Sequence, residues 1–243
     1  MTRALILAAG RGERMRPLTD SCPKPLLAVR GKPLMQWHME ALARGGCTGL
    51  VVNTAWLGDQ ITSHFGPMRP LDGGRLLSIS YSNEQADFGG ALETAGGIAR
   101  ALPLLQAGGQ DLFWLVAGDV YAPDFNFDPA AVQRFAASNA LAHLWLVPNP
   151  AHNPRGDFGI SPEGLALNQT EGERYTYSTI GLYRAALFAE PFCSIPHGNP
   201  DGIPAPLAPL LRRAMDEGRI SASLYSGRWT DVGTPERLAE LNR

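Results

Sequence analysis

Hydrophobic residues in this chain are concentrated in two continuous runs and in several stretches with helical or strand-like spacing. The runs Leu5–Ala9 and Leu112–Ala117 are apolar at every position, which is typical of strands that are buried on both faces of a parallel sheet. Elsewhere, segments with helical spacing alternate with shorter apolar strands. This alternation predicts an α/β protein in which helices are layered on a sheet.

The predicted elements extend over the whole chain. Strands are predicted at residues 5–9, 49–53, 77–81, 112–117, 143–147, 175–183, 219–225 and 228–232. Helices are predicted from residue 33 towards residue 45, at 57–65, 94–104, 129–137 and 206–217, and from residue 234. Residues 10–25 are predicted to form a loop, because their prolines oppose a long helix. Residues 149–174 are less regular.

Polar residues follow both apolar runs at the point where the strands are predicted to end. Gly10 follows the first run, and Gly118-Asp119 follows the second. Ligands of open α/β sheets bind outside the carboxyl ends of the strands. We therefore expect Asp119 and the loop after Gly10 to border one crevice.

Composition narrows the range of partners. The chain has 243 residues, 44% hydrophobic and 18% charged, which predicts one globular domain over residues 1–243. The net charge is -2 and no basic face is visible, so we expect no nucleic-acid partner. Four cations among glycines are the exception and suit a small phosphorylated ligand: Arg11, Arg14, Arg16 and Lys24.

Cysteine usage and hydropathy predict a cytoplasmic protein without a membrane partner. The three cysteines, Cys22, Cys47 and Cys193, are widely spaced and form no C-x-x-C pair. No apolar run approaches the roughly 20 residues of a membrane span, and the first strand leaves no room for a signal peptide. The oligomeric state is left open by the sequence.

The glycine-rich loop differs from two common phosphate-binding motifs. A dinucleotide fingerprint would need a third glycine at Met15 and a helix opening there, which Pro17 opposes. A Walker A loop would need Gly-Lys-Ser/Thr after its spacer, and the chain has no such sequence. What remains is a loop whose glycines bring backbone N–H groups close to phosphate oxygens, with Arg14 and Lys24 supplying charge.

This loop carries a family resemblance. Residues 10–19 read G-R-G-E-R-M-R-P-L-T and are followed by Pro23-Lys24-Pro25. The stretch resembles the signature of the sugar nucleotidyltransferases, G-x-G-x-R-x-x-P-L-T followed by P-K-P. The resemblance continues through residues 93–97, 118–120, 177–183 and 229–234 and covers nearly the whole chain. It implies a single-domain three-layer α/β/α sandwich with a mixed, mainly parallel, Rossmann-like sheet.

The resemblance also implies the reaction and its main groups. A nucleoside monophosphate would pass from a nucleoside triphosphate to a sugar-1-phosphate, releasing pyrophosphate, with Mg²⁺ held by Asp119 and Asp231. Arg14 would bind the triphosphate, and Lys24 the phosphates near the reacting centre. Taken singly, Asp119 is also interpreted as a turn residue and Asp231 as a cap near the last helix. A regulatory sensor of the same fold is a competing interpretation, but the presence of all four residues favours an enzyme.

Nucleotide and sugar contacts are implied at separate segments. The resemblance assigns the nucleotide to Ala8, Ala9, Gly10, Gly12, Glu93, Thr94 and Gly97, although Thr94 is also interpreted as a helix cap. It assigns the sugar to Asp157, Ser178 and Thr179. Many relatives carry Glu-Lys-Pro where this chain has Asn168-Gln169-Thr170. Stretches 53–58, 92–97 and 156–158 resemble compact uridylyltransferases of the family, and mannose- and glucose-1-phosphate nucleotidyltransferases stay open as alternatives.

Overall fold

The first apolar run forms the central strand β1 (Arg3–Ala8) of an eight-stranded sheet in the computed structural model. The structure describes residues 2–70, 76–169 and 171–243, so Thr170 lies outside the described residues. The other strands are β2 (Ala28–Val29), β3 (Lys32–Pro33), β4 (Gly49–Thr54), β5 (Met68–Pro70), β6 (Leu76–Asn83), β7 (Leu112–Ala117), β8 (Val120–Tyr121), β9 (Ala142–Val147), β10 (Gly159–Ile160), β11 (Ala166–Leu167), β12 (Thr176–Arg184), β13 (Ile220–Leu224) and β14 (Thr230–Asp231).

The helices cover both faces of this sheet. They are α1 (Leu18–Ser21), α2 (Leu34–Arg44), α3 (Gly58–Phe65), α4 (Glu84–Phe88), α5 (Glu93–Leu105), α6 (Pro129–Ala136), α7 (Leu207–Asp216) and α8 (Pro235–Leu241). Alternate residues of β1 point to opposite faces, as the pleat of a strand requires. Leu5 packs into a core with α5 and α7, while Ala4 and Ile6 pack into a second core with α2, α3 and α6. The three-layer prediction is therefore confirmed.

The order of strands in the sheet is β13-β9-β12-β7-β1-β4-β6-β5. Strand β1 runs parallel to β4 and β7, β6 parallel to β4, and β13 parallel to β9, whereas β12 and the edge strand β5 are antiparallel to their neighbours. The carboxyl ends of β1, β4 and β7 consequently lie at one edge of the sheet. The prediction of a mixed, mainly parallel sheet is confirmed.

The predicted strands and helices are present with shifted ends, and the differences are local. Residues 10–25 contain 3-10 turns at Glu13–Met15 and Lys24–Leu26 and the short helix α1, so the prediction of a plain loop is wrong. The prolines do exclude a long helix, but each allows one turn. The last predicted strand is shorter, comprising only β14. No helix among residues 2–70, 76–169 and 171–243 is both long and apolar enough to cross a membrane.

Candidate functional site

A cavity of about 650 Å³ opens at the edge of the sheet where β1, β4 and β7 end. Its walls come from the chain after β1, the start of α5, the turn after β7, the start of β12 and one face of α7. Nine of the residues assigned from the sequence line it: Ala8, Ala9, Gly10, Lys24, Glu93, Thr94, Asp119, Asp157 and Thr179. The expected crevice between Asp119 and the loop after Gly10 is therefore present.

A buried lysine and an acid form an ion pair in this cavity. Lys24 is 8% exposed, and its Nζ donates to Asp119 Oδ2 at 2.6 Å. Asp119 itself lies in the turn that joins β7 to β8, with a more open side chain than that of Lys24. The nearly buried ammonium of Lys24 therefore offers positive charge to an anionic ligand that replaces the Asp119 carboxylate as its partner or binds beside it.

The second predicted acid lies beside the first because two short strands pair. Strand β14 is antiparallel to β8, with Asp231 opposite Val120, and the Val232 amide donates to the Asp119 carbonyl at 3.1 Å. Asp231 Oδ2 accepts from Arg237 at 3.0 Å and lies 3.2 Å from Nε2 of His152. Thr234, not Asp231, caps α8, so the capping interpretation of Asp231 is wrong.

The chemistry of this pair fits a magnesium ion. Mg²⁺ prefers oxygen ligands and takes few carboxylates, with water and substrate phosphates completing its shell. Within the described residues, the hydrogen bonds of both carboxylates involve Oδ2, which leaves Oδ1 of Asp119 and of Asp231 for such a role. In the same part of the chain, no group of three or more His, Cys, Asp or Glu side chains is arranged to hold a metal.

A buried histidine supports the turn that carries Asp119. His38 on α2 donates from Nε2 to the Val120 carbonyl at 2.8 Å. The pKa of His38 is lowered to about 4, because the effect of burial outweighs the hydrogen bond to the Val120 carbonyl and the charge of Asp119, which both raise it. His38 is therefore neutral at pH 7 and holds β8 as a hydrogen-bond donor.

The glycine-rich loop is organised largely by its own charges. Arg11 pairs with Asp20 at 2.8 Å and stacks on Trp56, 3.7 Å from the ring centroid, and Arg16 also pairs with Asp20. Arg14 is exposed on the first 3-10 turn, outside the cavity wall, and has no hydrogen bond or ion pair among the described residues. Two of the four cations noted in the sequence thus shape the loop, and Arg14 is left for a ligand.

Gly12 serves the fold of the loop more directly than the cavity. Its φ is +66°, and a Cβ there would lie 3.1 Å from Cγ2 of Thr19 and 3.4 Å from Cβ of Lys24. Its carbonyl accepts from the Thr19 hydroxyl at 2.8 Å. The position favours glycine because a side chain would be strained and would crowd the lysine. Gly12 does not line the cavity, so a nucleotide contact there stays a prediction.

A buried polar network connects the two segments assigned to the nucleotide. Asn53, at the end of β4, accepts from the Ala8 amide at 2.8 Å and donates to Glu84 Oε1 at 2.7 Å. Glu84 Oε2 accepts from the Leu92 amide at 2.7 Å, and its residue is fully buried. Burial raises the pKa of Glu84 against the lowering effect of these two donors. The network thereby fixes the end of β1 relative to the turn before α5.

Gly97 is adapted to this network. A Cβ at Gly97 would lie 2.5 Å from Glu84 Oε1 and 2.9 Å from Nδ2 of Asn53, and Gly97 does not line the cavity. Its glycine is required because helix α5 passes directly over the buried carboxylate. A direct nucleotide contact by Gly97 stays a prediction.

The start of α5 borders the cavity. The amides of Ala95 and Gly96 donate to the Ala205 carbonyl at 2.8 and 3.2 Å, whereas Glu93 and Thr94 face the cavity. The helix is capped by Leu92 without a side-chain hydrogen bond, so the interpretation of Thr94 as the cap is wrong. Glu93 has a φ of +56°, which marks a backbone held in an unfavourable conformation at this turn.

The sugar segment is kinked towards the cavity. The pairing of β12 with β9 shifts between Tyr177 and Ile180, and Thr179 there has a φ of +62° and lines the cavity. Asp157 accepts from the Tyr177 amide at 2.8 Å and from Asn153 at 3.1 Å. Ser178 is fully buried, and its hydroxyl donates to the Trp145 carbonyl at 2.6 Å. The structure therefore does not bring Ser178 into the cavity with the other two.

Several residues around the site were not found from the sequence. Asn53 lies near the end of β4 and Glu84 directly follows β6, and polar residues at strand ends were a signal that could have found them. His152 is an exposed loop residue that contacts Asp231. Arg212 on α7 also lines the cavity, and no motif or spacing distinguishes it from other helix-surface arginines.

Comparison with known proteins assigns the family. Residues 3–164 match the family model described as nucleotidyl transferase. The chain therefore belongs to the nucleotidyl transferase family.

Individual relatives refine this assignment. The chain is 48% identical over 242 residues to an N-acetylmuramate alpha-1-phosphate uridylyltransferase of Neisseria meningitidis serogroup B, covering 98% of this chain and 96% of the relative. It is 32% identical over 251 residues to a protein of the same name from Caulobacter vibrioides, covering 98% and 97%.

Solved structures support the fold. A putative glucose-1-phosphate thymidylyltransferase from Bacillus anthracis superposes with a TM-score of 0.78 at 20% identity, covering 100% of this chain and 94% of the other. The inositol-1-phosphate CTP transferase of T. maritima superposes with a TM-score of 0.70 at 17% identity, covering 99% and 94%.

Proposed function

We propose that the protein transfers a uridylyl group from UTP to N-acetylmuramate 1-phosphate in a Mg²⁺-dependent reaction and releases pyrophosphate. The observation that carries the proposal is the Lys24–Asp119 ion pair in the cavity, together with Asp231, which does not line the cavity but lies on the strand paired with β8 directly after Asp119. The two uridylyltransferase relatives cover nearly the whole chain and support the choice of base and sugar. We further propose that residues 1–243 act as one catalytic domain.

The chemistry requires one bond to form and one to break. An oxygen of the sugar phosphate attacks the α-phosphorus of UTP, and the bond from that phosphorus to the β-phosphate oxygen breaks. The attacking phosphate is already anionic, so a general base contributes little. The protein must therefore bring negative groups together in line and neutralise them.

Each part of the site has a role in this proposal. Lys24 neutralises the phosphates near the reacting centre, and Arg14 binds the triphosphate and the leaving pyrophosphate. Asp119 and Asp231 hold Mg²⁺, which supplies positive charge to the phosphate oxygens when bound. The chain after β1 and the start of α5 bind the nucleotide, and Asp157 and Thr179 contact the sugar.

The substrates also suggest where the reaction takes place. N-acetylmuramate is a sugar of bacterial peptidoglycan, so we assign the reaction to the recycling of that polymer. UTP is a cytoplasmic metabolite, and all three cysteines are free thiols, as in a reducing compartment. A cytoplasmic enzyme is the proposal that agrees with both observations.

A substrate panel tests the proposed function. Pyrophosphate release is measured with ATP, CTP, GTP and UTP against several sugar-1-phosphates, with and without Mg²⁺. We expect release with UTP and N-acetylmuramate 1-phosphate only when Mg²⁺ is present. Release with GTP and mannose 1-phosphate alone would refute the choice of substrates, and no metal-dependent release with any pair would refute the enzyme and leave a binding protein.

Two acid variants and one control test the metal site. Asp119→Asn and Asp231→Asn should each weaken Mn²⁺ binding, measured by electron paramagnetic resonance with UTP present, and lower turnover. Asp59→Asn is the control because Asp59 is exposed on α3, away from the cavity. Unchanged Mn²⁺ affinity in both site variants would contradict the assignment of the metal.

A further inference from the structure

One arginine of the cavity wall has no role in the reaction described above. Arg212 lies on α7, whose buried residues Leu207, Leu211, Ala214 and Met215 pack against the sheet. The side chain of Arg212 is exposed and forms no hydrogen bond or ion pair with any described residue. The next residue, Arg213, instead lies over the ring of Phe192, 5.8 Å from its centroid.

The contacts at the two ends of α7 locate Arg212 along the cavity wall. Ahead of the helix, Ala205 is hydrogen bonded to Leu92 and Ala95, beside the proposed nucleotide segment. At the other end of the helix, Asp216 accepts from Asn168, which follows β11. Strand β11 pairs with β10, directly after Phe158. Arg212 is one turn from Asp216, so it lies on the half of α7 that is nearer to Asp216 than to Ala205.

The charges around Arg212 leave it available for an anion. Three acids line the described cavity wall: Asp119 pairs with Lys24, Asp157 accepts from Tyr177 and Asn153, and Glu93 forms no ion pair with Arg212. Arg212 and Lys24 are the cations of the described cavity wall, and they come from different elements, α7 and the second 3-10 turn. A ligand with one negative group near Lys24 and a second negative group near Arg212 would pair with both cations.

The chemistry of the proposed sugar supplies such a second group. N-acetylmuramate carries a lactyl ether on its third carbon, and this ether ends in a carboxylate. N-acetylglucosamine is the same amino sugar without the lactyl group. With the 1-phosphate held near Lys24, the lactyl carboxylate must lie at a different part of the ring. The planar guanidinium of arginine binds a carboxylate through two parallel hydrogen bonds.

We propose that the Arg212 guanidinium binds the lactyl carboxylate of N-acetylmuramate 1-phosphate and makes the enzyme prefer this sugar to N-acetylglucosamine 1-phosphate. This inference rests on the proposed function. It assigns sugar discrimination to α7, whereas the family resemblance assigned sugar contacts to Asp157, Ser178 and Thr179.

The test compares two sugars in three proteins. Steady-state kcat/KM is measured with UTP and N-acetylmuramate 1-phosphate for the wild type, Arg212→Gln and Arg213→Gln. N-acetylglucosamine 1-phosphate is measured in parallel, as a substrate or through its inhibition constant. Arg213→Gln is the matched control because it removes the same charge from the neighbouring position. Circular dichroism checks that the variants fold, which exposed helix positions should allow.

Arg212→Gln should lower kcat/KM for N-acetylmuramate 1-phosphate by roughly 10- to 100-fold, mainly through KM, as expected for a lost charge-assisted contact. The constant for N-acetylglucosamine 1-phosphate should change by less than about threefold, and Arg213→Gln should leave both sugars unaffected. An equal loss for both sugars, or no loss for either, overturns the role of Arg212 while the proposed function stands. A wild type that uses neither sugar with UTP overturns both.

Discussion

The buried network of Asn53 and Glu84 makes a prediction that depends on the order of its donors and acceptors. Backbone N–H groups stand at both ends, from Ala8 and from Leu92. Between them, the Asn53 amide accepts from one side and donates to the other, so Glu84 must accept from both Asn53 and Leu92. Only a carboxylate does this, because an amide or a carboxylic acid brings a donor of its own.

Glu84→Gln should therefore leave one buried N–H facing another. Rotating the side-chain amide of Asn53 or of the introduced glutamine by 180° moves the unpaired donor to another position in the network without removing it. A buried donor without an acceptor costs about 1–3 kcal/mol, and relief from burying a charge offsets part of this cost. We expect the free energy of unfolding to fall by about 2 kcal/mol, equivalent to a Tm lower by about 4–8 °C for a chain of this size. The KM for UTP should rise roughly tenfold, because both attached segments border the nucleotide.

A double variant restores the alternation of donors and acceptors without restoring Glu84. Asn53→Asp combined with Glu84→Gln lets the introduced aspartate accept from Ala8 and from the glutamine, whose carbonyl then accepts from Leu92. Urea unfolding of both single variants, the double variant and the exposed control Glu240→Gln measures the coupling energy. A Glu84→Gln protein as stable as the control, or a double variant no more stable than Glu84→Gln, would refute the reasoning.

Three further predictions concern individual side chains. Lys24→Met should lower kcat by about 10²–10³-fold with little change in Tm, because it removes the buried charge at the phosphates; kcat within threefold of the wild type would contradict this. Arg14→Ala should lower turnover far more than stability, since Arg14 is exposed; undiminished turnover of the purified variant would remove Arg14 from the site. The pKa of His38 is lowered from 6.5 to about 4, so its contribution to stability is present above pH 6.5 and lost as the pH falls towards 4, up to about 3 kcal/mol. Between pH 7.5 and 5, the free energy of unfolding measured in urea should fall less steeply with decreasing pH for His38→Gln than for the wild type. The raised pKa of Glu84 acts in the opposite direction, but it does so equally in both proteins. Equal slopes of this free energy against pH would contradict the assignment.

The sequence predicted those parts of the site that depend on local pattern. Continuous apolar runs identified β1 and β7, and the polar residues after them identified the loop and Asp119. The pairing of Asp119 with Asp231 came from resemblance, because the register of β14 with β8 is not visible in either segment. The short turns within residues 10–25 were missed because each depends on tertiary contacts, such as Arg11 with Asp20 and Trp56.

Other parts depended on contacts between distant residues. Gly97 was assigned to the nucleotide from its motif, but its glycine accommodates Glu84, thirteen positions earlier in the chain. Ser178 was assigned to the sugar, yet the irregular pairing after Tyr177 turns its hydroxyl to Trp145. Arg212 is distinguished from Arg213 only by the face of α7 on which each lies. Which side chain enters a cavity is decided by packing, and packing is not encoded at any single position.

The transfer of a labelled α-phosphate tests the central claim most directly. UTP labelled at the α-phosphorus is incubated with N-acetylmuramate 1-phosphate, Mg²⁺ and the wild type, with Asp119→Asn in parallel, and the products are separated. The account predicts that the label enters a uridine diphosphate sugar in an amount equal to the pyrophosphate released, and that Asp119→Asn forms little of it. Pyrophosphate or phosphate released without labelled sugar nucleotide, or equal transfer by Asp119→Asn, would contradict it.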